Sequence, residues 1–227
     1  MKINHVTIQT CALEETYSFY TDTFGLLGLN KQQDRFSLQI GSSILEFVQT
    51  MSNSRPFYHF AFNIPANRFR QAKEWLQKRV ILHLEKGTDE VFFKNFDAYS
   101  YYFTDPSGNI VELISRQSAS PVVEEPFGIA QILNIGEINV TTPRLMETGE
   151  RLIDWGIRPR LDEELGEGLN FMGEGDSYLL LGRPGRIWFS SDKHAEVHPV
   201  TIMVDGSKRI EVTAEGEVLL MSVGTIG

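Results

Sequence analysis

The chain has 227 residues, 41% of them hydrophobic and 22% charged, with a formal net charge of −9. That length holds one large domain or two smaller ones, each with its own core. The acidic balance opposes nonspecific attraction to nucleic acid or anionic membranes, and no basic cluster with interleaved aromatics offsets it.

The N-terminus enters a strand pattern without an apolar run of signal-peptide or membrane-spanning length. The single cysteine, Cys11, has no internal disulfide partner. It reads as a small buried hydrophobe in a reducing, cytoplasmic compartment. Residues 3–10 alternate, with Ile3, His5, Thr7 and Gln9 on one face and Asn4, Val6 and Ile8 on the other. The period then changes to helical over 13–24, where Leu13, Tyr17, Tyr20 and Phe24 form a stripe and Gly25 stops the helix. Strands over 35–40 and 44–49 follow, joined by Gly41-Ser42-Ser43.

A polar loop over 50–55 leads to a second copy of this order. Residues 57–64 alternate again, and a helix with Phe69, Ala72, Leu76 and Val80 on its stripe comes next. Strands are expected near 81–85, 90–96, 100–104 and 109–115, the last two joined by the type I turn Asp105-Pro106-Ser107-Gly108. A linker over 118–128 separates this half from a fainter pair of copies. The third copy begins at Ile135, with Glu137 at the position of His5, a helix from Pro143 to about Trp155, and Leu180 or a neighbour at the place of Glu46. The fourth begins at His198 but lacks the helix and ends in a hairpin over 208–223. The fold class is therefore α+β, with tandem βαβββ modules forming cupped mixed sheets. Modules over about 1–50 and 56–117 make an active domain (1–117), and a degenerate domain (129–227) covers it or mediates a homodimer.

An anomaly occurs once in each of the first two modules. Glu46 lies in Ile44-Leu45-Glu46-Phe47-Val48, and Glu112 in Ile110-Val111-Glu112-Leu113-Ile114. Burying an unpaired carboxylate is costly, so such a group calls for exposure, a raised pKa, a hydrogen-bonded partner or a metal ion. In matched register, His5 falls on His59 and Glu46 on Glu112. Each histidine opens the first strand of a module, and each acid sits in its last strand. Two such modules packed about a pseudo-twofold axis would aim His5, Glu46, His59 and Glu112 into one cup. This N/O donor set suits a divalent Zn, Ni, Mn or Fe ion, whose charge would also make the buried acids tolerable. Glu137 and His198 are the only echoes of the set in the second half, too few for a second site.

The opening His5-Val6-Thr7-Ile8, Phe19-Tyr20 with Phe24-Gly25-Leu26, His59-Phe60-Ala61-Phe62, and Tyr102 through Glu112-Leu113-Ile114 resemble the vicinal oxygen chelate superfamily. That group includes glyoxalase I, fosfomycin-resistance transferases, extradiol dioxygenases and bleomycin-binding proteins. The likeness covers residues 1 to about 117. Resemblance to glyoxalase I implies lyase or isomerase chemistry on a small-molecule substrate with vicinal oxygens, with Glu46 or Glu112 as base and Tyr102 facing the cup. The run Tyr102-x-x-Asp105-Pro106-x-Gly108-x-x-x-Glu112 resembles the extradiol signature, which implies Fe(II) held by three ligands. The histidine expected upstream of that tyrosine is missing, and Glu46 is surplus to such a site. A non-catalytic binder of drugs or aromatics is the third alternative, although those relatives typically lack the ligand set.

Overall fold

The computed structural model describes residues 1–51 and 54–224. Residues 52 and 53, inside the expected loop over 50–55, and 225–227, at the end of the expected C-terminal domain, lie outside this description. The first module runs β1 (Ile3–Thr10), α1 (Leu13–Ser18) continuing into a π-helical turn (Phe19–Thr23), β2 (Gly28–Lys31), β3 (Arg35–Ile40) and β4 (Ser43–Gln49). The second runs β5 (His59–Asn63), α2 (Phe69–Gln77), β6 (Val91–Phe93), β7 (Ala98–Thr104) and β8 (Ile110–Arg116). The third has β9 (Asn134–Thr141), α3 (Leu145–Asp154), β10 (Asn170–Glu174) and β11 (Ser177–Gly182). The fourth is a meander of β12 (Val200–Val204), β13 (Lys208–Val212) and β14 (Val218–Ser222). Residues 81–84, expected as a strand, are irregular, and Glu85 forms only an isolated bridge to Thr88. Cys11 is exposed rather than buried.

In the first three modules the opening strand pairs in parallel with the closing one: β1 with β4, β5 with β8, and β9 with β11. Each opening strand therefore keeps one free edge, and free edges are satisfied by pairing. The expected partnership of the first and second modules does not form. Instead β1 takes β12 and β5 takes β9, both antiparallel, while β1 meets β9 only at Ile3–Ile135. The two cups are thus built from modules one with four and two with three, and the sheet runs continuously across the residue 118–128 boundary. That segment is an ordered strap: Arg68 donates to the carbonyls of Val123, Glu124 and Glu125, and Asn67 exchanges two bonds with Val123.

The two cups differ in how they are covered. Along β1, β3, β4 and β12 buried and half-buried residues alternate after the strand starts, so one face meets the core and the other stays partly open. Along β5, β8, β9 and β11 every residue is buried, so both faces are covered. Inward-facing aliphatics and aromatics of all four modules, with Tyr20, Phe24, Leu76 and Leu152 from the helical segments, form the main core. A second apolar cluster around Phe57, Tyr102, Ile110, Leu180 and Trp188 fills the other face of the β5–β9 cup.

Two junctions fix the modules to one another. The turn Asp105-Pro106-Ser107-Gly108 forms as expected, with Gly108 N donating to Asp105 O at 2.9 Å. Its Ser107 Oγ lies 2.6 Å from Thr10 Oγ1 and 2.7 Å from Thr16 Oγ1, and Tyr20 Oη donates to Asp105 at 2.9 Å. Burial pushes the Asp105 carboxyl up to about 6, against the downward pull of hydrogen bonds from Asn109 and Tyr20. At the other junction the β3–β4 turn touches the chain before β9, where Ser42 N donates to Leu133 O at 2.8 Å. A Cβ at Gly41, whose φ is +55°, would stand 1.9 Å from that carbonyl oxygen. Gly41→Ala is expected to lower stability by at least about 1–3 kcal/mol through left-handed strain plus this backbone clash. Denaturant unfolding checks this, with the midpoint falling and the slope unchanged.

Candidate metal centre

The centre is a row across three adjacent strands. Ala61 on β5 pairs with Glu112 on β8 and with Glu137 on β9, so all three side chains leave the same face. The small Ala61 leaves room between the two acids, and His59, two residues earlier on β5, shares that face. His59 Nε2 lies 3.4 Å from Glu112 Oε2 and 3.8 Å from Glu137 Oε2. One ligand-type atom from each of the three residues lies within 4.8 Å of the other two, and all three residues are buried.

The hydrogen bonds around this group define its chemistry. His59 Nδ1 is 3.0 Å from Ile110 O. A carbonyl oxygen only accepts, so Nδ1 carries the hydrogen and Nε2 of the neutral ring presents a lone pair. That lone pair faces two carboxylates, which also only accept, so a proton or a cation must stand among them. Glu137 is joined on its other side to Arg116 Nη2, and Arg116 Nε bonds Asn63 Oδ1 at 3.3 Å. Arg116 follows Glu112 by four residues on β8 and therefore lines the same face. Two carboxylates against one guanidinium leave one negative charge in a buried space, which the low dielectric makes costly.

The titration shifts follow from this arrangement. Burial pushes His59 down, but Glu112 and Glu137 outweigh it and raise its pKa to about 9. Burial pushes Glu137 up, but Arg116 and His59 hold it below the usual carboxylate range. Burial and the Glu112 and Glu137 carboxylates raise Tyr102 well above an ordinary phenol, so Tyr102 stands against Glu112 as a neutral donor. The donor set, one imidazole and two carboxylates already turned to one point, fits a divalent first-row ion bound through nitrogen and oxygen.

Above the group lies a cavity of about 280 Å³. Its walls are largely aromatic, with Phe93, Phe96, Phe171 and Phe189 beside Tyr102 and Trp188. The roof is a hairpin over 185–195. Trp188 N donates to Lys193 O at 2.9 Å, and Ala195 N donates to Arg186 O at 2.6 Å. Trp188 stands 5.0 Å from the His59 ring, and Phe189 bridges Tyr102 and Phe93 at 5.6 and 5.4 Å. Lys193 anchors the hairpin through the Gly108 carbonyl and over the Phe57 ring, 4.4 Å from its centroid.

The four expected ligands do not meet. His59 and Glu112 lie in this centre with Tyr102, whereas His5 and Glu46 lie on β1 and β4. There His5 Nε2 is 3.8 Å from Glu46 Oε2, and Thr7 Oγ1 donates to Glu46 at 3.0 Å. Their side chains are 35% and 18% exposed, so water relieves the Glu46 charge that was expected to require an ion. The physical reason is strand order, since β9 stands between β1 and β5. The missed member is Glu137, and its signal was present in its register with His5 and His59. Arg116 and the roof were also missed, because neither belongs to the repeat. His198 sits against the Phe57 and Tyr58 rings, 3.1 Å from Glu196, outside the centre.

Comparison with known proteins accords with this fold. Residues 2–113 match the family model described as the Glyoxalase/Bleomycin resistance protein/Dioxygenase superfamily, and residues 135–186 match one described as Toxoflavin-degrading enzyme. A Bacillus subtilis protein provisionally described as a dioxygenase is 14% identical, with a TM-score of 0.64 over 100% of this chain and 86% of its own. Lactoylglutathione lyase from Agrobacterium tumefaciens is 21% identical over 49% of this chain and 91% of its own, at a TM-score of 0.41. Fosfomycin resistance protein FosX from Mesorhizobium loti is 18% identical over 49% and 88%, at 0.36. No curated protein matches the chain. Among the described residues no helix is long and apolar enough to cross a membrane.

In metal-free protein, the His59 ring is expected to titrate near 9 rather than 6.5. Its raised folded value contributes stability fully below about 6.5, and that contribution is lost as pH rises through about 9. Imidazole NMR checks this against Glu137→Gln, in which the His59 midpoint moves down.

Proposed function

We propose that this chain, which belongs to the glyoxalase/bleomycin resistance protein/dioxygenase superfamily, is a divalent-metal-dependent enzyme acting on a small substrate with vicinal oxygens. The observation that carries this reading is His59 Nε2 and an oxygen from each of the buried Glu112 and Glu137 turned to one point. His59, Glu112 and Glu137 would hold the ion, which when bound supplies Lewis-acid polarisation of the substrate oxygens. Three protein ligands leave positions open for a chelating substrate.

The surrounding residues take distinct parts. Ile110 O fixes the His59 tautomer, and Arg116 keeps Glu137 ionised and oriented. The Tyr102 hydroxyl, kept neutral, donates to Glu112 or to a substrate oxygen that gains charge. Glu112 is the group placed to accept a proton from bound substrate. The aromatic walls and the Trp188 roof hold a flat molecule and keep bulk water from it.

Between isomerisation and ring cleavage, the ligand count favours ring cleavage. A glyoxalase-like base that leaves the ion needs a fourth ligand, and Leu180 stands at the register position that Glu46 and Glu112 occupy in their modules. The match of residues 135–186 to a family model described as Toxoflavin-degrading enzyme and the aromatic cavity also support breakdown of a ring compound.

Elemental analysis tests the metal reading. Purified protein is expected to carry about one divalent ion per chain, and Glu112→Gln and Glu137→Gln to lose at least about tenfold in metal affinity. His5→Ala and Glu46→Gln are expected to keep it. Metal-free wild type that still binds aromatic ligands would make the chain a binding module instead. Metal-dependent oxygen uptake with aromatic diols supports ring cleavage, whereas metal-dependent exchange of substrate hydrogen without oxygen uptake supports isomerisation.

A further inference from the structure

Arg186 projects from the roof hairpin and lines the same cavity as the metal centre. Its Nη1 is buried and has no hydrogen-bond partner among the described residues. Among them it also makes no ion pair, although acids are abundant on the surface of this chain. The guanidinium lies over the Trp188 ring, 5.0 Å from the centroid, so the same indole that covers His59 also holds Arg186 in place. Its backbone is fixed by the 2.6 Å bond from Ala195 N. Burial pushes the guanidinium below its ordinary value, as expected of a cation withdrawn from water without a counter-ion.

A half-buried, preset guanidinium whose buried Nη1 lacks a hydrogen bond is costly unless a ligand completes it. The other cation of the cup, Arg116, is already engaged by Glu137 and Asn63. A divalent ion set against Glu112, Glu137 and Arg116 leaves the cup positive before Arg186 is counted. The rest of the lining is apolar apart from Tyr102 and the centre itself. The geometry points to an anion subsite at Arg186: the substrate is a small aromatic chelator that also carries a carboxylate or similar anionic group, away from its vicinal oxygens. Guanidinium and carboxylate match as planar, bidentate partners, which makes Arg186 a specificity-determining residue for the ring that lies beneath Trp188. This inference rests on the metal reading above for the chelating end of the substrate, but not for the anionic end.

The test uses two probes that differ only in the charged group, catechol and 3,4-dihydroxybenzoate. Each is titrated calorimetrically, without oxygen, into zinc-loaded and metal-free full-length protein. Wild type is expected to bind the carboxylate at least about tenfold more tightly than catechol, the size of one charge-assisted bond. Arg186→Met is expected to reduce that preference to less than about twofold, and Arg186→Lys to restore part of it. Unchanged circular dichroism and thermal midpoint confirm that the variants fold, as expected for a half-buried roof residue. Equal affinities in wild type, failure of the carboxylate to bind, or a preference that survives Arg186→Met each overturn the proposal. An Arg186-dependent preference together with affinities for both probes that zinc loading leaves unchanged keeps the anion subsite standing and contradicts the metal reading.

Discussion

The site depends on one strand pairing. When β5 takes β9 as its antiparallel neighbour, Ala61 is bracketed by Glu112 on one side and Glu137 on the other. A shift of one residue would send Glu137 to the opposite face, among the core side chains. Glu112 and His59 need only the second module to come together. Glu137, and with it the third ligand-type atom, arrives only through a strand lying more than seventy residues beyond His59 in the chain.

That pairing also determines where charge is tolerated. The β5–β9 cup is covered on both faces, so its acids are deprived of water and are answered internally by Arg116 and by His59. The β1–β12 cup has the same kind of opening strands but stays partly open. There His5 and Glu46 make a loose, half-solvated pair that needs no ion. Two similar sequence anomalies thus have different physical resolutions, and the roof hairpin over 185–195 makes the difference. By closing the cup with Trp188 and Phe189 it raises the electrostatic stakes beneath it. It also adds Arg186, a lining cation that makes no ion pair among the described residues.

Much of this was legible in the residues. Alternation over 3–10 and 57–64, the helical stripes between strands, and the Asp105–Gly108 turn all have counterparts in the structure, because each is a local pattern with a local cause. The repeat was legible too, including the equivalence of Glu137 with His5. What could not be read was which module meets which. The opening strands β1, β5, β9 and β12 each offer a free edge, and nothing in their local pattern names the partner. Because β5 pairs with β9 and not with β1, His5 and Glu46 stand apart from His59 and Glu112, and Glu137 joins the latter pair instead. The roof was illegible for another reason. Residues 183–198 have no periodicity, and their arrangement is held by tertiary contacts such as Lys193 with the Gly108 carbonyl.

Anomalous diffraction from crystals soaked in a manganese or zinc salt is the most direct trial of the central claim. A single strong peak is expected within coordination distance of His59 Nε2 and one oxygen each from Glu112 and Glu137, beneath the Trp188 ring. A peak instead between His5 and Glu46, or none at the β5–β8–β9 row in well-ordered crystals, would contradict it.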